Sequence, residues 1–261
     1  MNKHNMDPYE RRDRAQTLRR GLSILRLLIR KSPDSLRMSE LVQRLDLNKA
    51  TVIRLTQALV DEGFVSRDPA SGRYSLGPET FAAGLAAEHA YDLQRLARPA
   101  LRKLSLESGD TVFFSVRHAH EAICLSQELG VVELHTQQMK PGDRFPLGVG
   151  AGSAAILSAL PDAEITTVLK DSCDRRAAHW PAATDVEIWK LVEEARTTGY
   201  CFNSGLVTPQ SGGLGVALAL PNQPLVAISI AAAEKRLSLP RRAILGSRLL
   251  EIAAAIKDQV S

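Results

Sequence analysis

Basic and polar side chains occupy one face of a short helix that is predicted near the N-terminus. Lys49, Thr51 and Arg54 lie towards its beginning, and Ala50 and Gln57 share the face of Arg54. An arginine there can make a bidentate contact to a guanine edge, worth about 1–3 kcal/mol of discrimination, and an alanine can touch a thymine methyl group. A lysine and the free backbone N–H groups at a helix start suit phosphate oxygens. These residue types predict contacts in the major groove of DNA.

A predicted hairpin behind this helix carries two more cations. Residues 64–67 and 73–76 have the composition of short strands, and residues 68–72 between them have turn chemistry. Arg67 and Arg73 flank this turn. We therefore expect both arginines to lie near a groove or the phosphate backbone.

Three predicted helices and this hairpin complete a winged helix-turn-helix over residues 16–77. Apolar residues recur at helical spacing over residues 16–31. Ser39 is placed to cap the second helix and Asn48 to cap the third, while Gly63 suits the left-handed residue that ends a helix. Such an arrangement holds one helix out into the major groove. The alternative is a solvated helix face in a protein–protein adaptor.

The distribution of charge agrees with a polyanion as partner. The chain of 261 residues has a net charge of +4 and is 44% hydrophobic. Residues 1–80 contain 15 Lys and Arg against 10 Asp and Glu, which gives +5, while the remainder contains 18 against 19, which gives −1. A basic segment on a neutral body is typical of nucleic-acid binding, and a solvated basic tail is the alternative.

Cysteine usage and hydropathy indicate the cytoplasm. Cys124, Cys173 and Cys201 are far apart and form neither a disulfide framework nor a Cys-x-x-Cys metal spacing. Such a set fits a reducing compartment. The sequence has no run of about 18 apolar residues, and its polar N-terminus lacks the apolar core of a secretory signal. We expect a cytoplasmic protein with no membrane, metal or cofactor partner.

The remaining pattern predicts a tail, a linker and a second domain. Residues 1–15 are polar and aperiodic, which indicates a flexible tail, and residues 78–91 form an Ala-rich linker helix. Strand composition recurs at residues 111–117, 121–128, 131–139, 200–203, 214–220 and 225–231. Helical patterns begin at Asp92 and cover residues 162–170, 185–198 and 240–260, and residues 141–147 are expected to be loop. Residues 92–261 are therefore predicted to be α+β, an antiparallel sheet flanked by helices.

A glycine-rich segment at residues 148–154 leads into a predicted helix of this second domain. Helix starts present unpaired N–H groups that attract a carboxylate. Gly150, Ala151 and Gly152 carry so little side chain that a ligand can approach the backbone closely. The functional interpretation is the floor of a binding pocket. The structural alternative is a glycine-softened loop packed on the sheet.

Enzymatic interpretations of these residues fail on spacing. The glycine-rich segment lacks the third glycine and the following acidic residue of a dinucleotide site. Ser153 lacks the flanking glycines of a nucleophile elbow. His118 and His120 lie in a predicted hairpin turn, and the polar residues 171–179 have no metal-ligand spacing. We therefore do not expect an enzyme.

Short motifs follow one another along the chain in a fixed order. They are LNKATVIRL (47–55), EGFV (62–65), GRYSLG (72–77), DLQRLARPAL (92–101), PL (146–147), AG (151–152) and GY (199–200). In order and spacing they resemble the isocitrate-lyase-regulator (IclR) family of bacterial transcription factors over about residues 17–260. The resemblance implies a dimer or dimer of dimers that binds DNA. It also implies a GAF/profilin-like C-terminal domain for effector binding and oligomerisation.

The resemblance also implies an effector site in that domain. Carried over by position, the pocket includes Ser204, Leu214 and Ser229, with Met139, Leu147 and Cys201 as apolar neighbours; each could equally be ordinary core. Three departures from the family matter. Ala50 replaces a usual serine, Ser153 replaces a common lysine, and residues 203–212 lack the usual acidic residues, so the pocket should be more neutral.

The prediction is a transcription factor that binds a palindromic operator in double-stranded DNA. Family members mostly govern genes for using organic acids and aromatic compounds, so the resemblance implies a small organic acid or aromatic effector. The alternative is a small-molecule-sensing adaptor whose winged helix contacts another protein.

Overall fold

Separate hydrophobic cores divide the chain near residue 91. A computed structural model describes residues 8–87, 92–132, 139–221 and 223–260. The chain divides into two compact units, residues 1–91 and residues 92–261. A buried apolar cluster around Ile24, Leu28 and Leu41 belongs to the first unit, and separate clusters belong to the second. Each unit therefore has a core of its own.

Amphipathic helices and a small hairpin build the N-terminal unit. Its elements are α1 (Pro8–Lys31), α2 (Met38–Arg44), α3 (Lys49–Asp61), β1 (Val65–Arg67), β2 (Tyr74–Leu76) and α4 (Pro78–Ala87). The strands β1 and β2 pair antiparallel, with Ser66 opposite Ser75. Apolar residues at helical spacing meet at the centre, where Leu28, Leu41 and Val52 are at most 1% exposed. The predicted winged helix-turn-helix is confirmed.

Two helix starts differ from the prediction. α1 begins at Pro8 rather than residue 16, so residues 8–15 are helix where an aperiodic tail was predicted. Proline suits the first turn of a helix, because its fixed φ is already helical and its missing N–H would have no partner there. The charged residues that follow have good helix propensity, although they show no apolar periodicity that the sequence analysis could detect. α2 begins after Arg37 instead of being capped by Ser39, because the Glu40 carboxylate accepts the Arg37 N–H at 2.8 Å. Residues 1–7 of the predicted tail lie outside the described residues.

The predicted linker is helical where it is described. Its residues Pro78–Ala87 form α4, and residues 88–91 lie outside the described part of the chain. Every residue of α4 is exposed or only partly buried, with Phe81 70% and Leu85 52% exposed. An apolar helix in this state presents its side chains to solvent in the single chain.

A six-stranded antiparallel sheet forms the middle of the C-terminal unit. Its strands are β3 (Thr111–His118), β4 (Glu121–Glu128), β5 (Arg144–Pro146), β6 (Cys201–Ser204), β7 (Ser211–Leu218) and β8 (Val226–Ala233). The order across the sheet is β5-β4-β3-β8-β7-β6, and each neighbouring pair is antiparallel. The four eight-residue strands β4, β3, β8 and β7 therefore form the middle of the sheet, with the short strands β5 and β6 at its edges.

Helices cover both faces of this sheet. They are α5 (Asp92–Ser108), α6 (Ala151–Ser158), α7 (Asp162–His179), α8 (Asp185–Thr198), a 3-10 helix (Glu234–Arg236) and α9 (Leu239–Val260). Side chains alternate between faces along each strand. Val112 and Phe114 of β3 pack in the cluster with α5 and α9, whereas Phe113 and Ser115 line a cavity beside α6. The predicted α+β class is confirmed.

Three C-terminal segments differ from or escape the prediction. Arg144–Pro146 was expected to be loop but pairs with β4 as a strand. Three residues are too few to show the alternation typical of a strand, and proline is tolerated because this strand lies at the edge of the sheet. α7 continues beyond residue 170 to His179, because Arg176 is buried and donates to the carbonyls of Leu169 at 2.9 Å and Ala183 at 2.6 Å. The predicted strand over residues 131–139 falls mainly on residues 133–138, which lie outside the described residues.

Candidate functional site

The start of α3 is fixed by a side-chain cap. Asn48 precedes the helix in extended conformation, and its Oδ1 atom accepts the Thr51 N–H at 2.8 Å. On the inner side, Val52, Leu55 and Thr56 are buried in the N-terminal unit. The cap and the buried face together leave the opposite face of the helix at the protein surface.

That surface holds the predicted recognition residues. Lys49, Ala50, Arg54 and Gln57 are exposed, and Thr51 is partly buried. The amide of Gln57 donates to Asp61 at 2.7 Å and is therefore partly committed within the helix. Among the residues that the structure describes, none forms an ion pair with Lys49 or Arg54. These two cations are available to a ligand.

The wing carries one exposed cation and a self-contained turn. The Asp68 carboxylate accepts the Ser71 hydroxyl at 2.7 Å and the Ser71 N–H at 2.6 Å, and these bonds hold its pKa below the usual range. Gly72 follows with a φ of +66°, a conformation that favours glycine. Arg67 is exposed, and its guanidinium lies 5.8 Å from the centre of the Tyr74 ring.

The second wing arginine is engaged inside the unit. Arg73 donates through Nε to the Ser35 hydroxyl at 2.9 Å and through Nη2 to the Ser35 carbonyl at 2.5 Å. Nη2 also lies 3.5 Å from the Glu40 carboxylate. The Arg37 N–H, followed by the charge of Arg73, holds the pKa of Glu40 below its usual range. Arg73 therefore ties the wing to the start of α2.

The start of α6 is built from backbone. Gly148 and Gly150 have φ values of +95° and +90°, which side chains other than glycine rarely adopt. The first intrahelical bond runs from the Ala154 N–H to the Gly150 carbonyl at 2.9 Å. The preceding N–H groups of Ala151, Gly152 and Ser153 therefore have no acceptor within the helix. They form the positive end of the helix dipole.

Small residues allow α6 to lie directly on the sheet. A Cβ atom at Gly215 would stand 2.4 Å from the Ala151 carbonyl oxygen, and one at Gly213 would stand 3.2 Å from the Ala151 side chain. A Cβ atom at Gly152 would stand 2.9 Å from the Ser229 hydroxyl. Close packing of helix on sheet is thus one reason for these glycines, as the structural alternative proposed. The positive φ at Gly150 and the cavity beside it are a second reason for glycine in this segment.

A cavity of about 110 Å³ lies between the start of α6 and the sheet. Its walls are mainly apolar, with hydroxyl and amide groups and no charged side chain among the described lining residues. The residues that line it are Phe113, Ser115, Ala122, Met139, Phe145, Val149, Gly150, Ala151, Gly152, Ser153, Asn203, Val207, Thr208, Ser211, Gly212, Gly213, Ser229, Ile230 and Ala231. Its chemistry suits a small molecule with hydrogen-bond acceptors.

Five of the nine residues predicted for the effector site line this cavity. They are Met139, Gly150, Ala151, Gly152 and Ser229. The other four, Leu147, Cys201, Ser204 and Leu214, do not, which corrects their predicted place in the wall.

Each of these four residues has a structural reason to lie elsewhere. Leu214 alternates with Gly213 and Gly215 along β7, so its side chain packs on the opposite face of the sheet. Leu147 and Cys201 are fully buried in apolar clusters. The Ser204 hydroxyl donates to the Glu234 carboxylate instead.

The IclR helix-turn-helix domain matches residues 17–69, and the bacterial transcriptional regulator IclR C-terminal domain matches residues 85–258. The chain belongs to the IclR family. Two relatives illustrate its neighbourhood. The HTH-type transcriptional repressor AllR of Escherichia coli K12 is 31% identical over 186 residues, 71% of this chain and 68% of AllR. The HTH-type transcriptional regulator KipR of Bacillus subtilis is 30% identical over 251 residues, 94% of this chain and 97% of KipR.

Solved IclR-family structures share the fold. An IclR-family regulator from Brucella abortus has a TM-score of 0.73 at 23% identity, covering 100% of this chain and 97% of its own. An IclR homologue from Microbacterium hydrocarbonoxydans, complexed with 4-hydroxybenzoate, has a TM-score of 0.74 at 18% identity. The match covers 94% of this chain and 100% of the homologue. At these identities the likeness concerns the fold alone.

This IclR-family protein is a transcriptional regulator rather than an enzyme, as the names of its relatives indicate. The side chains weighed for catalysis have ordinary uses. The Ser153 hydroxyl donates to the carbonyls of Val149 and Gly150, and His120 lies 3.1 Å from the Asp171 carboxylate. Within the described ranges, no three His, Cys, Asp or Glu side chains could hold a metal ion together. None of the helices described there is long and apolar enough to cross a membrane.

Several cavity residues of this IclR-family protein escaped the sequence prediction. Asn203 is the most informative, because it is 4% exposed and its Nδ2 atom has no hydrogen-bond partner among the described residues. Phe113 and Ser115 come from β3 on the face opposite the helix α5 core. The available signal was the alternation along β3, which places Ser115 and Phe113 together on the face opposite Val112 and Phe114. Which face holds the cavity follows only from the sheet order.

Proposed function

We propose that this protein is a sequence-specific DNA-binding regulator whose operator binding responds to a small organic acid. The observation that carries the DNA part is the exposed, unpaired pair Lys49 and Arg54 on a capped helix held out by a buried face. The net charge of +5 over residues 1–80 supports the same partner. Since that partner is DNA, we expect the protein to act in the bacterial cytoplasm.

In the proposed complex, α3 lies in the major groove. Arg54 donates to the O6 and N7 atoms of a guanine, while Lys49 and the wing residue Arg67 contact phosphates. Thr51, Ala50 and Gln57 line the same surface. We assign Arg73 to orienting the wing, because Ser35 and Glu40 already hold its guanidinium.

We further propose that the operator is palindromic because two copies bind it together. In the N-terminal unit, Leu18 is 64%, Leu22 38%, Phe81 70% and Leu85 52% exposed. Each pair is spaced by four residues, so each forms an apolar patch on one helix face. Such patches are typical of an interface between chains, and a two-fold pair would present two recognition helices to two half-sites.

The dimer is tested by light scattering after size exclusion. The double variant Phe81→Ser with Leu85→Ser should run as a monomer where the unchanged protein runs as a dimer or tetramer. Val186→Ser is the matched control, since Val186 is 66% exposed on α8 of the other unit. A double variant that keeps the original mass would exclude α4 from the interface.

For the effector, we propose a carboxylate at the start of α6. The N–H groups of Ala151 and Gly152 and the dipole of α6 would hold it, with Asn203 and Ser229 as further polar partners. Phe113 and Phe145 offer apolar surface for the rest of the molecule. A relative bound to 4-hydroxybenzoate supports an organic acid. An engineered cavity of about 150 Å³ holds benzene, so this smaller one fits a small acid directly and an aromatic acid after a wall moves.

Regulation then follows from differential affinity. The effector would favour one arrangement of the protein over another and shift operator binding by the ratio of its affinities for the two. The direction of that shift decides whether the protein represses or activates.

DNA binding is tested by fluorescence anisotropy with duplex from the region upstream of the protein's own gene. We expect specific affinity over a shuffled duplex of equal length, weakened at least about tenfold between about 50 and about 200 mM salt. Equally weak binding to both duplexes would contradict the proposal that the upstream duplex contains a specific operator. If the protein binds neither duplex, the result would favour the alternative function, an adaptor whose winged helix contacts another protein.

Effector binding is tested by thermal shift with small aliphatic and aromatic acids, because a ligand of the native state raises its melting temperature. Ser229→Phe, which fills the cavity, should abolish the shift and leave DNA binding unchanged. A variant that responds normally would place the effector elsewhere.

A further inference from the structure

One wall of the cavity is residues 204–211, which are the connection between β6 and β7 and the strand residue on each side of it. It contributes Val207, Thr208 and Ser211 to the lining. Val207 lies against the start of α6, since a Cβ atom at Gly150 would stand 3.5 Å from its Cγ2 atom. The loop therefore lies beside the start of α6, where the proposed carboxylate would bind.

Much of the remaining wall is tied into regular structure, although Met139 and Val149 lie in connecting segments. Phe113 and Ser115 belong to β3, Ser229 belongs to β8, and both strands are hydrogen-bonded on each side within the sheet. Moving any of them would break strand pairing, whereas residues 205–210 join β6 to β7 and lie outside both strands. This loop can therefore move without breaking the central strand pairs.

Glu234 holds that loop at both of its ends. Its N–H donates to the Gln210 carbonyl at 2.8 Å, and its carboxylate accepts the Ser204 hydroxyl. Within the described chain, these are the hydrogen bonds that residues 204–210 make outside their own hairpin. The remaining bonds are internal, such as the one from the Gly205 N–H to the Ser211 carbonyl at 2.8 Å.

Glu234 is itself fixed to the body of the domain. It begins the 3-10 helix, in which the Leu237 N–H donates to the Glu234 carbonyl at 2.8 Å and Leu237 is 1% exposed. Arg236 forms an ion pair with the buried Asp110 at 2.8 Å and donates to the Ser108 carbonyl at 3.1 Å. Glu234 is thus a rigid hydrogen-bonding attachment point for a loop that is otherwise held to the domain by the apolar packing of Leu206 and Val207.

We propose that Glu234 is a positioning residue that holds residues 204–211 closed over the start of α6, and that breaking this contact opens the route to the cavity. The proposal rests on the proposed effector role of the cavity for its biological meaning. With the loop in this position, the cavity beside the start of α6 has a volume of only about 110 Å³. An aromatic acid would enter and be accommodated only when the Glu234 contacts release.

The first test is hydrogen–deuterium exchange of the full-length protein, read by mass spectrometry without any ligand. Glu234→Ala and Ser204→Ala should each speed exchange of the amides in residues 205–210 about tenfold, because each removes the same charge-assisted hydrogen bond. The double variant should be no faster than either single variant. Glu234→Gln should restore slow exchange, because its amide oxygen accepts the same hydroxyl.

Glu187→Ala is the matched control, since it removes a glutamate that pairs with Lys190 at 2.6 Å on the surface of α8. It should leave the exchange of residues 205–210 unchanged. Unaltered exchange of the loop in both Glu234→Ala and Ser204→Ala would overturn the proposal. A rise spread evenly over residues 92–261 would also overturn it, because Glu234 would then support the whole domain.

The second test reads access to the cavity directly. Ser115 is 2% exposed and lines the cavity, so the thiol of a Ser115→Cys variant reports entry of iodoacetamide. In a background with Cys124→Ser, which removes the thiol opposite position 115 across β3 and β4, and Cys173→Ser, adding Glu234→Ala should speed its alkylation about tenfold. Unchanged hydrogen–deuterium exchange over the rest of residues 92–261 controls for global unfolding. Faster loop exchange without faster alkylation would show that the route lies elsewhere.

These tests remain separate from the proposed function. A protein that binds none of the acids in the thermal-shift panel would lose its proposed effector role while the loop could still respond to Glu234→Ala. Conversely, an acid that binds a protein with an unresponsive loop would leave the effector role intact and remove the role of Glu234.

Discussion

The starts of α3 and α6 make opposite uses of the same helix geometry. At α3, the side chain of Asn48 already accepts a first-turn N–H, and the ligand-facing groups are long side chains such as Lys49 and Arg54. At α6, the cap is Gly150, which has no side chain, so the first-turn N–H groups are left for a ligand. One helix start offers side chains to a partner, and the other offers backbone.

This difference decides how each region tolerates substitution. Truncating an exposed side chain on α3 should remove a proposed contact to DNA and leave the fold intact, because those side chains touch little else. Adding a side chain near α6 is the harmful change, because Gly213 and Gly215 are where the helix meets the sheet. The two regions should therefore respond to mutation in opposite ways.

The largest effect should come from Gly215→Ala. Its Cβ atom would stand 2.4 Å from the Ala151 carbonyl oxygen, so the helix or the strand must shift. We expect a loss of about 3 kcal/mol in the free energy of unfolding of the C-terminal unit, measured by denaturant titration. Gly84→Ala on α4 is the matched control, since nothing lies within 4 Å of its added methyl group, and it should be neutral or stabilising. Equal stability of the two variants would contradict the close packing of α6.

The second largest effect is expected for substitutions on α3, which should change DNA affinity rather than protein stability. Arg54→Ala should lower affinity for the specific duplex by about 2 kcal/mol, or about 30-fold, with little change for shuffled DNA. Lys49→Ala is the comparison, because a phosphate contact should weaken both duplexes alike and reduce the slope of affinity against salt. If Arg54→Ala keeps the ratio of the two affinities, the base contact belongs to another residue.

The same contrast explains what the sequence could predict. The exposed face of α3 was predictable because helical periodicity alone places Arg54 opposite Val52 and Leu55. The strand Glu121–Glu128 and the helix Asp185–Thr198 also agree with prediction to the residue, because composition and capping mark their ends. Local rules suffice wherever the answer depends on one element.

The cavity required information that no single element carries. Periodicity shows that Gly213 and Leu214 face opposite ways, but the face that meets α6 is set by the sheet order. Periodicity therefore could not remove Leu214, which had been carried over by position from the family resemblance, and it could not point to Asn203 or Ser115. β5 was missed because Arg144–Pro146 owes its conformation to pairing with β4 rather than to its own composition.

A smaller effect tests the cap of α3. Asn48→Ala removes the acceptor of the Thr51 N–H and should cost about 1 kcal/mol in the stability of the N-terminal unit, measured by denaturant titration. Asn48→Asp should retain most of the stability, because its carboxylate can accept the same bond. A loss as large for the aspartate as for the alanine would mean that the helix start depends on something other than the cap.

The smallest effect on stability is expected at Asn203 in the wall of the cavity. Asn203 is as buried as a core residue, yet its Nδ2 atom donates to no described group, whereas Asn48 is exposed and its side chain is engaged. Replacing an unsatisfied buried donor by an apolar group of similar volume is nearly neutral. Asn203→Leu should therefore change the free energy of unfolding of the ligand-free protein by less than about 0.5 kcal/mol, and still weaken any acid found by thermal shift. A cost above about 1 kcal/mol without ligand would mean that the fold itself uses the Asn203 amide, and the donor would no longer count as reserved for an effector.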